Sequence, residues 1–346
     1  MATIVNRGPY QFQATIRRKG YPTQTKTLES RKDAETWATI IESEMVRGTF
    51  VPRAEAERTT LAAALERYRD EVTTTKKGRA QEERRIDAWL LDPLAKRSLA
   101  SLTSTDFAKF RDDRIKTASA STVIKDLALI SHLFTIAIKE WRLPLQNPIQ
   151  NIRKPKLPPG RNRRLLAEEE IYLLRACHES KAPALETVVR LALETAMRRG
   201  EILKMQWQHV DLNKQTAFLP DTKNGDSRTV PLSSRAVHAL RKWPRSFDAR
   251  VFPQYSHTDS FKKAWGHALI GAKKIYIGDC KKRGVVPDPM FLADLRFHDL
   301  RHEATSRLAE KLPNVLELAA VTGHKDLRML KRYYHPKAED LARKLG

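Results

Sequence analysis

The sequence has few cysteines and no long apolar segment. Its two cysteines, Cys177 and Cys280, are too few for a disulfide framework and lack the spacing of metal ligands. No uninterrupted apolar run approaches the ~18 residues that a membrane-spanning helix needs. The opening residues, MATIVNRGPYQF, contain no hydrophobic region of a secretory signal. These absences predict a soluble, cytoplasmic protein of a reducing compartment.

Acidic residues are also scarce relative to basic ones. The 346 residues include 64 Lys and Arg against 41 Asp and Glu, which gives a formal net charge of +23. Such a charge predicts a polyanionic partner, either nucleic acid or an anionic membrane surface. Because hydrophobic residues make up 41% of the chain, we expect ordinary packed cores rather than a disordered basic tail. The length suggests about two or three domains.

The first 28 residues contain no acidic side chain and predict a small basic sheet. Two strand-like runs, 10–17 and 23–28, form a predicted hairpin, and a helix is predicted over 31–47. We therefore predict a ββα domain over 1–56. A basic β-ribbon of this size can enter the DNA major groove, although many small sheets bind no DNA. The candidate DNA contacts are Arg17, Arg18 and Lys19.

Four amphipathic helical segments follow, with no predicted strand among them. They cover about 59–72, 80–91, 103–116 and 119–141, and together they predict an all-α domain over 57–152. Basic residues cluster between the first two helices, which favours a domain that clamps DNA. A helical spacer is the alternative. The candidate DNA contacts in this loop are Lys76 and Lys77.

A basic, proline-rich segment separates the helical domain from the rest of the chain. Residues 151–164 read NIRKPKLPPGRNRR, with six basic residues, three prolines and no acid. The prolines favour an extended, semi-rigid connection. Since both flanks are predicted to fold, we interpret 153–164 as a linker that lies along DNA phosphates, with a merely solvated linker as the alternative. Its candidate DNA contacts are Arg153, Lys154, Lys156, Arg161, Arg163 and Arg164.

The carboxy-terminal half, 165–346, is predicted to be mainly helical with a small antiparallel sheet. A helical pattern over 184–207 is interrupted in its middle, which places Arg198 at a helix junction rather than on a solvated face. The Asn-Gly pair that follows Lys223 is typical of a β-hairpin turn. Lys223 is therefore predicted at the tip of a hairpin.

A helical segment further on carries several phosphate-binding residue types. His298, Arg301 and His302 stand at i, i+3 and i+4, so they share one helix face. The two histidines also have a zinc-like spacing, but the zincin motif needs a second histidine where the sequence has Ser306. No metal site is predicted. Another histidine, His324, directly follows a glycine that ends a predicted helix.

Taken in order, these elements resemble the tyrosine recombinases, also called phage-type integrases. The family pattern is T-G-x-R-x-[GS]-E, a hairpin lysine, H-x-L-R-H, then G-H and a tyrosine nine residues beyond that histidine. The sequence supplies TAMRRGE at 195–201, TKNGD at 222–226, HDLRH at 298–302, GH at 323–324 and Tyr333. The stretches ALETAMRRGEIL, FHDLRHEA and GHKDLRMLKRY are most similar to the shufflon-type DNA invertases of this family.

The resemblance implies a multidomain, mainly α protein. Its parts are an arm-binding ββα domain, an all-α core-binding domain and a mainly α catalytic domain with a small antiparallel sheet. The implied activity is site-specific recombination of double-stranded DNA through a 3′-phosphotyrosine and a Holliday junction, for inversion, integration or excision. The implied assembly is a homotetramer in the synaptic complex, with a monomer compatible with the free protein and accessory DNA-bending proteins as further partners. No cofactor, metal or membrane partner is expected, and the resemblance implies a cytoplasmic protein that is bacterial or phage-encoded and acts on DNA.

The resemblance also assigns roles to individual residues. Arginines suit bidentate contact with non-bridging phosphate oxygens, and histidines donate further hydrogen bonds or accept a proton. On this basis Tyr333 is the nucleophile, Lys223 the acid for the leaving 5′ oxygen, and His298 a candidate base. The full set of implied catalytic residues is Arg198, Lys223, His298, Arg301, His324 and Tyr333, with Glu201 as a supporting residue that orients Arg198.

Two features depart from the family pattern. Ala196 replaces the usual glycine and should be tolerated if its φ angle is negative. Residues 266–289, rich in lysine and glycine, lengthen the segment before H-x-L-R-H and predict either an additional DNA-facing element or a surface loop.

Two other functions stay open beside recombination. A type IB topoisomerase carries similar catalytic groups but relaxes DNA as a monomer, and a decayed integrase would bind DNA without cutting it. The arm-like module at the amino end favours a recombinase over a topoisomerase. The complete set of catalytic residue types argues against a silent regulator.

Overall fold

The computed structural model of the protein describes residues 2–48, 50, 54–221, 227–245, 247–256, 258–334, 342–343 and 345. It divides into two compact units, residues 1–160 and 161–346. The described chain is mainly helical with two small three-stranded antiparallel sheets, which confirms the predicted fold class at this coarse level. The finer division at residues 56, 152 and 164 stays a prediction.

The first unit begins with a three-stranded antiparallel sheet and one helix. Strands β1 (Ala2–Gly8), β2 (Gln11–Ile16) and β3 (Gln24–Leu28) lie in that order in the sheet, and helix α1 (Arg31–Val46) follows. Ser30 caps α1 by accepting a hydrogen bond from a backbone N–H in its first turn. The module is therefore βββα, and the predicted ββα arrangement is wrong.

Strand β1 escapes prediction, although it contains the β-branched run Thr3-Ile4-Val5. This run is short and is followed by Asn6, Arg7 and Gly8, which are poor strand residues or turn residues, and none of the strand's residues is buried. It pairs with β2 through a tight turn in which Tyr10 adopts a positive φ of 59°. The small core of this module consists of Ile16 from the sheet and Ala38, Ile41 and Met45 from α1.

The rest of the first unit is helical. Its helices are α2 (Ala54–Arg58), α3 (Leu61–Glu71), α4 (Arg79–Leu90), α5 (Ser104–Arg114) and α6 (Ala120–Lys139). The predicted helices over 59–72, 80–91, 103–116 and 119–141 are confirmed as α3 to α6. Their apolar faces share one core, in which Tyr68, Phe107 and Phe134 are fully buried.

Helix α6 is long and apolar enough to cross a membrane by length and composition alone. Its apolar side chains, including Leu127, Ile130, Leu133 and Phe134, are buried in the core of the first unit. A central core helix meets the same criterion, so this helix is weak evidence for a membrane span.

The second unit is built around helix α8 (Ala184–Thr195), whose apolar side chains are almost all buried. Preceding it is α7 (Ala167–His178), and following it are α9 (Arg199–Leu203), α10 (Ser234–Lys242), α11 (Thr258–Arg283), α12 (Phe297–Lys311) and α13 (Val315–Thr322). Strands β4 (Val210–Asp211), β5 (Thr216–Leu219) and β6 (Arg228–Pro231) form the second sheet. Helices α7, α9, α10, α11 and α12 all contact α8.

Residues 266–289 are neither a surface loop nor a separate element. They begin inside α11, which continues to Arg283. Ala272, Tyr276 and Cys280 lie one turn apart on its buried face and belong to the core of the second unit. The prediction of a surface loop is therefore wrong for the helical part. A DNA-facing role for the lysines on the outer face stays a prediction.

Candidate active site

Arg198 lies at the junction between α8 and α9, which confirms its predicted position. Its backbone is extended (φ −70°, ψ 147°), so α9 starts in a new direction directly after it. Nη1 of Arg198 donates to Oε1 of Glu201 at 2.8 Å, and Nη2 donates to the carbonyl oxygen of Gly323 at 3.4 Å. The side chain thus points from the end of α8 to the end of α13.

The turn before Arg198 depends on Ala196. This residue has φ 52° and ψ 20°, the left-handed region, so the condition of a negative φ, under which alanine should be tolerated, is not met. For a residue with a Cβ atom this conformation costs roughly 1–2 kcal/mol. Ala196 is completely buried, and its carbonyl oxygen accepts a hydrogen bond from Nη1 of Arg301. The strained residue therefore holds one of the two predicted active-site arginines.

Glu201 is buried and accepts hydrogen bonds from two arginines. Besides Arg198, it accepts hydrogen bonds from Arg228, with Nη2 to Oε2 at 2.7 Å and Nη1 to Oε1 at 3.1 Å. Burial alone raises the pKa of a carboxyl group, but the hydrogen bonds from Arg228 and Arg198 outweigh it and lower the pKa of Glu201. Glu201 is therefore an ionised anchor that orients both guanidinium groups.

Arg228 is a site residue that sequence reasoning misses. It is the first residue of β6 and lies five positions after the predicted acid Lys223 in the sequence. The available sequence signal is an arginine three positions after the Asn-Gly pair, but its hydrogen bond to Glu201 joins residues 27 positions apart and needs the folded sheet.

Arg301 and His324 meet at the carboxyl end of α13. Nη2 of Arg301 donates to the carbonyl oxygen of Thr322 at 2.7 Å and lies 3.5 Å from Nε2 of His324. The other ring nitrogen of His324, Nδ1, is 2.7 Å from Oγ1 of Thr322. Both side chains are thus held by Thr322.

Gly323 makes this convergence possible. It caps α13 in the left-handed conformation (φ 70°), which favours glycine. A Cβ atom here would lie 2.7 Å from Nη1 of Arg228. Only a glycine lets the chain turn at this point while the guanidinium group passes so close.

The cations of the site repel one another. Burial, followed by the charge of Arg198, lowers the pKa of Arg301 to about 10. Burial, followed by the charge of Arg301, lowers the pKa of His324 to about 4. Both shifts are of the kind that a bound anion reverses, since a negative charge stabilises protonated neighbours. The arrangement is therefore suited to a phosphate group.

Tyr333 is hydrogen-bonded to His302, a residue to which the sequence pattern assigns no catalytic role. The hydroxyl of Tyr333 is hydrogen-bonded to Nδ1 of His302, and the two rings are nearly parallel (26°) with centroids 5.9 Å apart. Tyr333 lies in a turn after a short 3-10 helix, Leu327–Met329, and packs on Leu318 and Leu330. His298, the predicted base, is exposed, with its ring centroid 5.1 Å from that of His302.

The electrostatic surroundings favour a neutral His302 and a neutral Tyr333. Burial and the nearby His298 lower the pKa of His302 to about 4. Burial also raises the pKa of Tyr333, although the charges of Arg332 and Arg301 partly oppose that shift. At neutral pH the phenol therefore keeps its proton and donates a hydrogen bond to an unprotonated imidazole nitrogen.

The arginines of the predicted linker contact acidic residues of the second unit. Arg161 forms a bidentate pair with Asp299, with Nε to Oδ1 at 2.9 Å and Nη2 to Oδ2 at 2.8 Å. Arg164 pairs with Glu303 in the same way, with Nε to Oε2 at 2.9 Å. Both acids lie on α12, beside the predicted catalytic residues. Arg163 pairs with Glu169 at the start of α7. Phosphate contacts by these arginines stay a prediction.

The other predicted DNA contacts lie on the first unit. Arg17, Arg18 and Lys19 are exposed between β2 and β3, and Arg153, Lys154, Lys156 and Lys77 are exposed as well. Lys76 differs, because its Nζ donates to Tyr68 Oη at 2.6 Å and to Glu82 Oε1 at 2.8 Å. None of these roles is tested by the geometry.

Lys223 lies outside the described residues. Across the part of the chain that is described, no three His, Cys, Asp or Glu side chains come together as a metal site would require.

Comparison with known proteins agrees with this arrangement. The sequence pattern of the Phage integrase family matches residues 163–340. The chain is 40% identical over 304 residues to the shufflon-specific DNA recombinase of Escherichia coli, covering 85% of this chain and 74% of that protein. Its fold is similar to that of a lambda integrase tetramer bound to a Holliday junction (TM-score 0.60, 20% identity, 93% of this chain and 95% of that chain). It is also similar to the Tn1549 transposon integrase in complex with a circular intermediate DNA (TM-score 0.62, 16% identity, 83% and 98%).

Proposed function

The chain belongs to the phage integrase family, and we propose that it recombines DNA with Tyr333 as the nucleophile. As a tyrosine recombinase, it is an enzyme that breaks and rejoins DNA strands at specific sites. The observation that carries the assignment of the site is the convergence of Arg198, Arg301 and His324 at the Gly323 turn. The positive charges of Arg198 and Arg301 repel each other, which favours an anion between them, and Tyr333 follows only nine residues after His324.

The arginines and His324 stabilise the charge that grows on the phosphate. As the nucleophile arrives, negative charge accumulates on the non-bridging oxygens, and fixed donors in a partly buried site stabilise it without reorganising. Arg198 and Arg301 offer guanidinium groups for these oxygens, while Glu201 keeps Arg198 in place. His324 supplies a further hydrogen bond once the phosphate has restored its proton.

Covalent catalysis preserves the energy of the phosphodiester bond. Tyr333 attacks phosphorus, a 3′-phosphotyrosine forms, and the 5′ oxygen leaves with a proton from Lys223. A 5′ hydroxyl from another strand then attacks the phosphotyrosine and releases Tyr333. Neither a metal ion nor ATP enters this cycle.

We assign the DNA-binding surfaces to three regions of the chain. Residues 1–56 act as the arm-binding domain, 57–152 as the core-binding domain, and 165–346 as the catalytic domain, joined by 153–164. The exposed cluster Arg17, Arg18 and Lys19 on the turn of the first sheet supports the first assignment.

The proposed assembly is a homotetramer on two recombination sites that passes through a Holliday junction. The similarity in fold to an integrase tetramer on such a junction supports it. The 40% identity to a shufflon-specific recombinase favours inversion of the DNA between two sites over integration or excision. Accessory DNA-bending proteins are compatible with this assembly.

The nucleophile is tested with a nicked substrate that traps the covalent adduct. Tyr333→Phe should bind DNA but form no protein–DNA adduct in the presence of EDTA. Tyr334→Phe is the matched control, because it also loses one tyrosine hydroxyl. It should still form the adduct, since Tyr333 is intact. Adduct formation by Tyr333→Phe would transfer the assignment to Tyr334.

Recombination is distinguished from simple relaxation with a plasmid that carries two sites in inverted orientation. The expected product is an inverted segment that depends on both sites. Relaxation of a plasmid without any site, with no inversion on the two-site plasmid, would indicate a topoisomerase instead.

A further inference from the structure

We propose that His302 accepts the proton of Tyr333 when this tyrosine attacks the phosphodiester. The inference rests on the proposed role of Tyr333 as the nucleophile. It assigns the base to the second histidine of the HDLRH segment, whereas the sequence suggests His298.

The geometry that carries the inference is the bond between the reacting atom and the ring. The hydroxyl oxygen of Tyr333 is hydrogen-bonded to Nδ1 of His302, with no residue between them. The two rings are also nearly parallel, with centroids 5.9 Å apart, so the phenol lies against the imidazole. A general base must lie within hydrogen-bond reach of the proton it removes, and His302 meets this condition before substrate binds.

The surroundings keep His302 ready to accept a proton. The charged and titratable groups around its ring come from three segments: His298, Asp299 and Arg301 on α12, His324 after α13, and Arg332 and Tyr333 at the terminal turn. Burial is the main cause of the lowered pKa of His302, and the basic neighbours add to it, so the ring is neutral at pH 7. With Nδ1 as the acceptor, its own proton is on Nε2.

Substrate binding makes the same ring a stronger base. A phosphodiester bound by Arg198 and Arg301 brings negative charge close to the imidazole and offsets the positive neighbours. The protonated form of His302 is then less unfavourable than in the free protein. The proton acceptor is therefore weakest when no DNA is bound, which limits reaction of the tyrosine with other electrophiles.

The proton and bond changes balance in both directions. In cleavage, the Tyr333 oxygen forms its bond to phosphorus, its proton moves to Nδ1 of His302, and the bond from phosphorus to the 5′ oxygen breaks. The leaving oxygen takes a proton from the separate acid assigned to Lys223. In rejoining, a 5′ hydroxyl gives its proton to the neutral amine of Lys223 and forms its bond to phosphorus. The bond from phosphorus to the Tyr333 oxygen breaks, and the imidazolium of His302 returns its proton to that oxygen.

The test separates proton transfer from mere positioning. In His302→Asn, the amide oxygen can accept the tyrosine hydrogen bond from nearly the position of Nδ1, but it cannot take up the proton. Single-turnover adduct formation on the nicked substrate is measured from pH 7 to 9.5, with DNA binding measured in parallel to show that the variant is folded. Loss of a general base is expected to slow cleavage ~10²-fold or more at pH 7.

The pH dependence is the decisive readout. Below the pKa of the phenol, the ionised fraction of Tyr333 rises about tenfold per pH unit. The deficit of His302→Asn should therefore shrink as pH increases, because ionised tyrosine needs no base. The matched variant His298→Asn removes the neighbouring imidazole, and its deficit should stay constant over the same range.

Three results would overturn the inference. His302→Asn could cleave at the wild-type rate, its deficit could be independent of pH, or the shrinking deficit could belong to His298→Asn. Peptide mapping of the adduct separates this inference from the proposed function. An adduct on Tyr334 would remove both assignments, whereas an adduct on Tyr333 with an unimpaired His302→Asn would remove only the role of His302.

Discussion

Arg161 and Asp299 are 138 positions apart in the sequence, yet Nη2 of the first lies 2.8 Å from Oδ2 of the second. Asp299 is buried, and it also accepts a hydrogen bond from the backbone N–H of Arg296 at the start of α12. The same carboxylate therefore caps the helix that carries Arg301 and fixes the end of the basic linker. The carbonyl oxygen of Arg161 in turn accepts a hydrogen bond from Arg332, the residue before Tyr333. The linker end thus contacts both the catalytic helix and the tyrosine segment.

Removing the charge of Asp299 should destabilise the second unit. We expect Asp299→Asn to lower the free energy of unfolding by about 2 kcal/mol, because a buried charged acceptor with three donors is replaced by a neutral amide. Asp294 is the matched control, since it also pairs with Arg161 but is 65% exposed. Asp294→Asn should cost less than about 1 kcal/mol. Urea denaturation of the full chain measures both; equal losses would show that burial of the pair is irrelevant.

The backbone strain at Ala196 predicts a stabilising substitution. Ala196→Gly removes the Cβ atom from a residue with φ 52° and should raise the free energy of unfolding by about 1 kcal/mol. Ala192 lies one turn earlier on the same helix, is equally buried, and has ordinary helical neighbours. Ala192→Gly should lower stability by about 1 kcal/mol. Denaturation curves for the two variants should therefore shift in opposite directions.

Gly323 allows a sharper test of the site. A methyl group at Gly323 meets Arg228, which cannot move aside without breaking its hydrogen bonds to Glu201. Gly323→Ala is therefore expected to lower both stability and the rate of adduct formation. Gly284 has a similar φ of 67°, but a methyl group there would have no atom within 4 Å, so Gly284→Ala adds strain without a clash. Gly284→Ala should lose about 1 kcal/mol of stability and keep its cleavage rate; loss of cleavage there would contradict the role given to Arg228.

The sequence predicts the helices and the helix junction, because these depend on residues that are close together in the chain. Helices α3 to α6 follow from their apolar periodicity, and the junction at Arg198 follows from an interruption in such a pattern. The i, i+3 and i+4 spacing places His298, Arg301 and His302 together, but it does not say which histidine meets Tyr333. That contact joins residues 31 positions apart and depends on how the terminal turn packs against α12.

The partners of the basic linker are likewise not predictable from its charge alone. Within 151–164 there is no acid, so phosphates are the natural partners to expect for its arginines. The folded unit supplies Asp299 and Glu303 from more than a hundred positions away, and each pairs with a linker arginine. Composition predicts that the segment binds negative charge, but it cannot tell whether that charge belongs to DNA or to the protein itself.

Lys223 should act as the general acid that protonates the leaving 5′ oxygen. It lies five positions before Arg228 in the sequence, and Arg228 at the start of β6 contacts Glu201 in the site. General acid catalysis typically contributes ~10²–10⁴-fold, so Lys223→Ala should cleave an ordinary phosphodiester slowly. Its rate should recover on a substrate whose bridging 5′ oxygen is replaced by sulfur, because a thiolate leaves without a proton.

Arg198→Ala is the control for this experiment, since Arg198 is assigned to charge stabilisation rather than proton transfer. A sulfur leaving group does not remove the charge on the non-bridging oxygens, so Arg198→Ala should stay slow on both substrates. Single-turnover adduct formation on the two substrates gives the ratio for each variant. An equal defect of Lys223→Ala on both would place this lysine in DNA binding or site assembly, because only an acid becomes dispensable when the leaving group changes.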